Sequence, residues 1–406
     1  MLKVKFFQNL IIARGLLTTE SEYIINKSKK PKRKSEPLKT AFPPFSAAKF
    51  DINSRLITVE GCFGVNKSEI AKKIADRFAL KYIDDVAEET PYITNVEGKT
   101  INFIKYNDML PDNAKIYTSK MFWNDPDPIK NGKPLMMQLL YYKNRYFNCC
   151  QNMARMLTDG DGVVMKRSPF ADHVLALTYR ELGLMSAEAY KYYNKMRLDS
   201  IVSLWRPHFI IYVKANPEII RKNMKKTNDP MLNYPNFTDK FIETYQHLFE
   251  TAYLDKQIGF SKIITIDLSE TDFNEEEDFL SIVEHMANEN IDLDNISDYS
   301  PLFRDWCQGT KFNRMITSQF YFCSAWSCYK NAFPLTRIPR AVSEGAFNDE
   351  AIDILSTIFY NDSRFWNAKL NPLEFTSLKN ILFHIGKFNY QNPMNQPFGQ
   401  FLKFIV

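Results

Sequence analysis

Gly61-Cys62-Phe63-Gly64-Val65-Asn66-Lys67-Ser68 is the segment that most restricts the folds open to this chain. It fits the phosphate-loop pattern G-x-x-x-x-G-K-S/T at every position except Asn66. A β-branched run, Arg55 to Glu60, precedes it. A helical run over Lys67 to Leu80 follows, with Ile70, Ile74, Ala75 and Phe78 on one side. Strand, glycine-bearing turn and helix in that order make an anion cradle. Backbone N–H groups and the helix N-terminus face the phosphate, Lys67 reaches its outer oxygens, and Ser68 ligates magnesium. Asn66 stands where glycine is expected. A side chain there obstructs close approach, although asparagine tolerates a left-handed backbone better than most residues. The loop shape is therefore expected to survive while triphosphate affinity falls.

Downstream, short β-rich runs alternate with helical ones, the pattern of a parallel sheet with crossover helices. A second strand is expected at Lys81 to Val86, a third at Gly162 to Arg167, a fourth at Pro207 to Ala215 and a fifth at Lys262 to Leu268. The polar stretch from Glu88 to Lys133 has no clear period and is expected to hold loops and a short helix. Pro134 to Thr158 forms one long helix, with Leu135, Leu139, Tyr142, Tyr146, Cys149, Met153 and Leu157 at three- and four-residue spacing, stopped by Asp159-Gly160-Asp161-Gly162. Further helices are expected at Phe170 to Leu182, Ser186 to Trp205, Pro217 to Lys226, Thr238 to Lys256 and Glu275 to Asn290. The fold class is thus α/β, a P-loop kinase-like fold with a five-stranded parallel sheet flanked by helices. This domain spans 50–295, and 296–406 is an aromatic-rich C-terminal extension without strand–helix alternation.

Charge narrows the partners. The net charge is +5, but residues 1–40 hold ten Lys/Arg against Glu20, Glu22 and Glu36, which leaves −2 for the rest. A body so near neutral lacks the basic field that draws proteins onto nucleic acid. No stretch approaches the roughly 18–20 apolar residues that cross a bilayer, so a membrane association would be peripheral. The first 19 residues carry Lys3, Lys5 and Arg14, no acid, and apolar groups spread for an amphipathic helix, the composition of a mitochondrial presequence. The Lys27 to Ser35 run, KSKKPKRKS, imitates a nuclear signal and is read as solvated linker, so 1–40 is presequence and basic linker. The spacing of the six cysteines matches no zinc pattern, which favours structural or free thiols.

Phosphoryl transfer needs a carboxylate near the acceptor hydroxyl and cations over the moving phosphate. Asp84 and Asp85, after the second strand, either supply that carboxylate or form a solvated loop pair. Lys166-Arg167-Ser168 follows the third strand, where Arg167 either contacts phosphate or makes a surface ion pair. Arg221, Lys222, Lys225 and Lys226 lie where a phosphate-closing lid would sit, and read better as a solvated basic face. The five histidines have no nucleophile or metal partner at a telling spacing and are assigned to structure.

ITVEGCFGVNKSEIAKKIADRFALKYI, GDGVVMKRSPFADHVLA and RPHFIIYVKANPEIIRKNMKK, in that order, resemble the deoxyribonucleoside-kinase family. More closely they resemble the kinase-like accessory subunits of mitochondrial NADH:ubiquinone oxidoreductase, respiratory complex I. The resemblance covers roughly Arg55 to Asn290. In active members the third strand ends in Glu-Arg-Ser, a glutamate after the second strand is the general base, and the lid is rich in arginine. Here Lys166 reverses the first charge, Asp85 takes the place of the base, and the lid keeps only Arg221. The resemblance therefore implies a protein of the matrix side of the inner membrane, bound to other complex I subunits and supporting assembly or stability, with no catalytic residue expected. An active mitochondrial deoxyribonucleoside or nucleotide kinase is the alternative. The group is described as carrying FAD. The chain has no G-x-G-x-x-G fingerprint, and a purine nucleotide held by Gly61, Gly64, Asn66, Lys67, Ser68, Arg167 and Arg221 suits the implied fold better. No metal is expected unless Ser68 meets a magnesium nucleotide.

Overall fold

The computed structural model describes residues 54–269, except 88–92, 97–98, 113–114, 132 and 203, together with 279–280, 283 and 306. The expected presequence and linker, most of the expected helix from Glu275 to Asn290, and the extension apart from Trp306 lie outside the described residues.

In chain order the elements are β1 (Leu56–Gly61), α1 (Lys67–Arg77), β2 (Lys81–Ile83), β3 (Ile93–Val96), β4 (Lys99–Asn102), α2 (Ser119–Asn124), α3 (Pro128–Asn131) and α4 (Pro134–Asp159). They continue as β5 (Val163–Lys166), α5 (Asp172–Glu181), α6 (Ala187–Ile201), β6 (Phe209–Lys214), α7 (Pro217–Lys226), α8 (Asp239–Leu248) and β7 (Lys262–Asp267). Five strands form one sheet in the order β2-β5-β1-β6-β7, and every pairing is parallel. β1 is buried along its whole length and β6 along all but its last residue, as strands covered by helices on both faces must be. The chain leaves β1 toward β5 and β2 on one side and later reaches β6 and β7 on the other. A crevice at the carboxyl ends of the strands beside β1 follows from that reversal.

Several elements depart from expectation; the helix expected over Ser186 to Trp205, for one, ends at Ile201. β2 ends at Ile83 rather than Val86. Asp84 and Asp85 turn their carboxylates back on the chain, accepting from the N–H of Asp85 at 2.8 Å and of Val86 at 2.9 Å, and such side-chain bonds compete with a sheet ladder. β5 stops at Lys166 because Arg167 adopts φ 60. The stretch from Glu88 to Lys133 contains an antiparallel hairpin, β3 with β4, where only loops and a short helix were expected. Its two linking residues are Glu97 and Gly98. The helix expected over Thr238 to Lys256 keeps its path but changes winding, to a π turn at Phe249–Tyr253 and a 3-10 turn at Leu254–Lys256.

Two helices are well explained by their ends. α4 starts with proline in its first turn and stops at Gly160, whose φ of 79 lets its N–H return to the Met156 carbonyl. α8 is capped by Thr238, whose hydroxyl accepts from the Phe241 N–H.

At the amino ends of the strands, His208 Nδ1 accepts from the Leu56 N–H at 2.9 Å. Burial, with help from Arg55, holds that imidazole far below its usual pKa, so it stays a neutral acceptor. Trp306 covers it with ring centroids 4.1 Å apart, packs edge-on against Trp205 at 4.9 Å, and donates its indole N–H to the Arg206 carbonyl at 2.7 Å. Removing so large a buried ring leaves a cavity. Trp306→Ala is expected to lower stability by about 3–5 kcal/mol in urea denaturation. A loss within experimental error would mean that this residue does not seal the base of the sheet.

Candidate functional site

The loop after β1 is built from three positive-φ residues, Gly61 (φ 149), Gly64 (φ 73) and Asn66 (φ 50, ψ 32). A Cβ on Gly61 would lie 2.3 Å from the Val213 carbonyl oxygen of β6. On Gly64 it would lie 2.8 Å from Met224 Cγ and 2.9 Å from Ile220 Cγ2, both of α7. Both glycines are therefore required by close approach as well as by conformation. Asn66 adopts the left-handed backbone that the sequence suggested it could, and as N-cap of α1 it makes no side-chain capping bond. The first N–H groups of α1, which have no partner inside the helix, thus open on the loop.

Lys67 lies buried beneath this loop, with its ammonium donating to the Cys62 carbonyl oxygen. Burial, reinforced by the Arg167 guanidinium, pushes its pKa well below the ordinary lysine value. Phe63 anchors the loop outward. Its ring packs edge-on to Trp123 of α2 at 5.9 Å and to Phe237 at 6.2 Å, and lies 6.3 Å from Phe241 of α8. Arg167 sits over the same ring, 4.2 Å from its centroid. Asn236 joins the two sides of this cluster by donating its amide to the carbonyls of Phe122 at 3.0 Å and Asp125 at 2.8 Å.

Of the residues predicted for the site, the sheet brings Gly61, Gly64, Asn66, Lys67, Ser68, Lys166 and Arg167 to one end, since Lys166 pairs in register with Val59 of β1. Asp84 meets Lys166 at 2.9 Å. Arg221 is engaged elsewhere, its Nε donating to Asp239 at 2.6 Å across α7 and α8. Lys222, Lys225 and Lys226 are exposed, in keeping with a solvated basic face.

Asp85 has a partner that sequence reading missed. Its two oxygens accept from Arg145 Nε at 2.9 Å and Nη2 at 2.8 Å, while Nη1 of the same guanidinium donates to Asp172. Asp172 also accepts from Gln138 at 2.8 Å and from the Tyr193 hydroxyl at 2.5 Å. Burial alone would raise the Asp85 carboxyl, but Arg145 outweighs it and the pKa ends below the usual carboxylate value. The available signal was two polar residues seven apart, Gln138 and Arg145, interrupting the apolar face of α4, followed by Asp172 in the first turn of α5.

Glu60 was also unforeseen. The last side chain of β1 before the loop, it is fully buried and accepts from both the N–H (2.9 Å) and the hydroxyl (2.5 Å) of Ser168. Burial raises its pKa to about 7 despite Ser168 and the nearby Arg167 and Arg145.

A family model described as deoxynucleoside kinase matches residues 57–292. The chain is 21% identical to the mouse protein named NADH dehydrogenase (ubiquinone) 1 alpha subcomplex subunit 10, mitochondrial, over 53% of this chain and 57% of that one. To the bovine protein of the same name it is 24% identical over 50% and 55%. It is 22% identical to a deoxyguanosine kinase of Dictyostelium discoideum over 41% of this chain and 47% of the relative. The chain thus spans little more than half the length of the mouse and bovine relatives. Among solved structures, deoxyadenosine kinase from M. mycoides with bound dCTP aligns at 16% identity, covering 57% of this chain and 99% of that one, with a TM-score of 0.41.

Two stability measurements follow from the geometry. Arg145→Leu leaves Asp172 buried without its counter-ion and is expected to cost about 3–5 kcal/mol. Lys166→Met breaks only a partly exposed pair and is expected to cost about 0–1 kcal/mol. Equal losses in urea denaturation would refute that ranking. Glu60 gives the opposite pH trend to a salt-bridged acid. With a folded pKa above its unfolded one, it favours the native state fully below about pH 4.5 and loses that contribution as pH rises through about 7. Glu60→Gln is therefore expected to gain on the unaltered protein across that window by on the order of 3 kcal/mol. Parallel stability–pH profiles for the two proteins would contradict this.

Proposed function

Because this chain belongs to the deoxynucleoside kinase family, we propose that it has kept the family's fold and lost its reaction, serving as a non-catalytic accessory subunit of mitochondrial respiratory complex I. The subunit role rests on the similarity to the mouse and bovine complex I proteins, and the matrix side of the inner membrane is the location in keeping with it. No helix among the described residues is long and apolar enough to cross a membrane, so attachment through other subunits is the form of association proposed.

The observation that carries the non-catalytic reading is the state of Asp85. A general base must offer an oxygen to the acceptor hydroxyl and have a pKa near the working pH. Both Asp85 oxygens accept from Arg145, which stabilises the ionised form and lowers its proton affinity. Lys166 adds a cation where active relatives are expected to carry a carboxylate, and it occupies Asp84 as well. Positioning and electrostatics supply nearly all the catalysis in phosphoryl transfer, so these changes compound.

A purine nucleotide is favoured over FAD as the ligand of the loop, because the buried Lys67 suits outer phosphates and the chain carries no G-x-G-x-x-G fingerprint. A second reading, an active deoxynucleoside kinase, draws on one observation: Asn66 keeps the left-handed geometry that the loop requires.

Native electrophoresis of detergent-solubilised mitochondria tests the proposal. Comigration with complex I, with less assembled complex after depletion, is the expected result. Migration as a small soluble species with complex I intact would overturn it. Purified protein incubated with ATP and deoxyguanosine is expected to form no deoxyguanosine monophosphate above a no-enzyme control. Turnover there would replace the non-catalytic reading with the kinase one.

A further inference from the structure

Magnesium is the ion that a phosphate loop of this family would ordinarily share with its nucleotide, and the side chains around this loop do not suit it. Magnesium takes hard oxygen ligands in an octahedral shell, with one or two carboxylates from the protein. Each acidic group near the loop is already committed. Glu60 is buried against Ser168, Asp84 meets Lys166, and Asp85 is closed in a fork by Arg145. Ser68 offers one neutral hydroxyl.

What surrounds the loop instead is positive. Lys67 lies under it, Arg167 stands over Phe63 at its edge, and Lys166 ends the neighbouring strand. The charges of Arg167 and Lys166 both act on Lys67 unfavourably, a repulsion that a polyanion would relieve. Lys166 need not leave Asp84 to reach a phosphate, because its ammonium carries three donors and this bond uses one.

We propose that this loop is a metal-independent polyphosphate site, in which Lys166, with Lys67 and Arg167, neutralises the phosphates of a nucleoside triphosphate in place of magnesium. The inference rests on the reading of the loop as a nucleotide site that no longer catalyses. It is independent of whether the protein resides in complex I, which the electrophoresis above decides separately.

Titration calorimetry of the full chain with ATP, and with inorganic tripolyphosphate, in excess EDTA and then in excess Mg2+ tests it. ATP and tripolyphosphate are both expected to bind in EDTA, with affinities changed less than about threefold by Mg2+. Lys166→Glu, checked for folding by its unfolding transition, is expected to weaken binding in EDTA by about tenfold or more, with Mg2+ restoring much of the loss. Binding by the unaltered protein only when Mg2+ is present would overturn the proposal. So would no binding of either compound under both conditions, or a Lys166→Glu protein that binds equally well in EDTA.

Discussion

β1 lies between β5 and β6 with every residue from Leu56 to Gly61 buried, and its ladders to both neighbours set where each strand ends. Away from water, an unpaired backbone group costs more than a net hydrogen bond contributes, so the register is held firmly. That register puts Lys166 beside Val59 and carries Arg167 and Ser168 past the end of the ladder toward the loop. On the other flank it brings the Val213 carbonyl so close to Gly61 that no side chain fits there. The phosphate loop therefore has little freedom of its own. Its first residue is fixed by β6, its middle by α7 against Gly64, and its last by the start of α1.

Most of this frame was legible in the residues. The β-branched runs over Arg55 to Glu60 and Pro207 to Ala215 coincide with the two most buried strands, because strands covered on both faces need apolar side chains throughout. The helix stop at Gly160 and the helix start at Pro217 were equally plain, since each depends on one residue's backbone. The hairpin of β3 and β4 was not legible, as four-residue strands of mixed polarity carry no usable alternation. The fork of Arg145 between Asp85 and Asp172 was invisible for another reason. It joins residues 60 and 27 positions apart, and although Gln138 and Arg145 interrupt the apolar face of α4, that spacing does not say which carboxylates Arg145 meets. The loop shape itself was anticipated through Asn66, whose short polar side chain makes left-handed geometry tolerable.

The two carboxylates that flank the site illustrate how environment rather than residue type sets a role. Glu60 and Asp85 both lie at the ends of strands pointing toward the loop, and both are heavily desolvated. Arg145 approaches Asp85 with a planar fork that matches the carboxylate, so ionisation is favoured and the proton is held weakly. Glu60 accepts instead from the N–H and hydroxyl of Ser168, and burial raises its pKa to about 7. Arg145 thus occupies both oxygens of Asp85, while Glu60 is sealed beneath the turn it supports.

That turn gives a reason for retaining so costly a group. Arg167 adopts φ 60, a conformation that an unbranched L-residue enters at a cost of about 1–2 kcal/mol. Ser168, bonded twice to Glu60, and the Arg167 N–H, bonded to the Val59 carbonyl at 3.1 Å, hold it there. The result aims the guanidinium over Phe63, where a cation–π contact is worth about 0.5–2 kcal/mol. Backbone strain and a buried acid thus coincide around one cation at the rim of the loop. The sheet itself has no need of either, because a glycine and a neutral side chain would end β5 more cheaply. Strain that persists where the fold does not require it points to a bound state it prepares. In the polyphosphate site proposed above, that state has an anion in the cradle, with Arg167 beside it and Lys67 beneath.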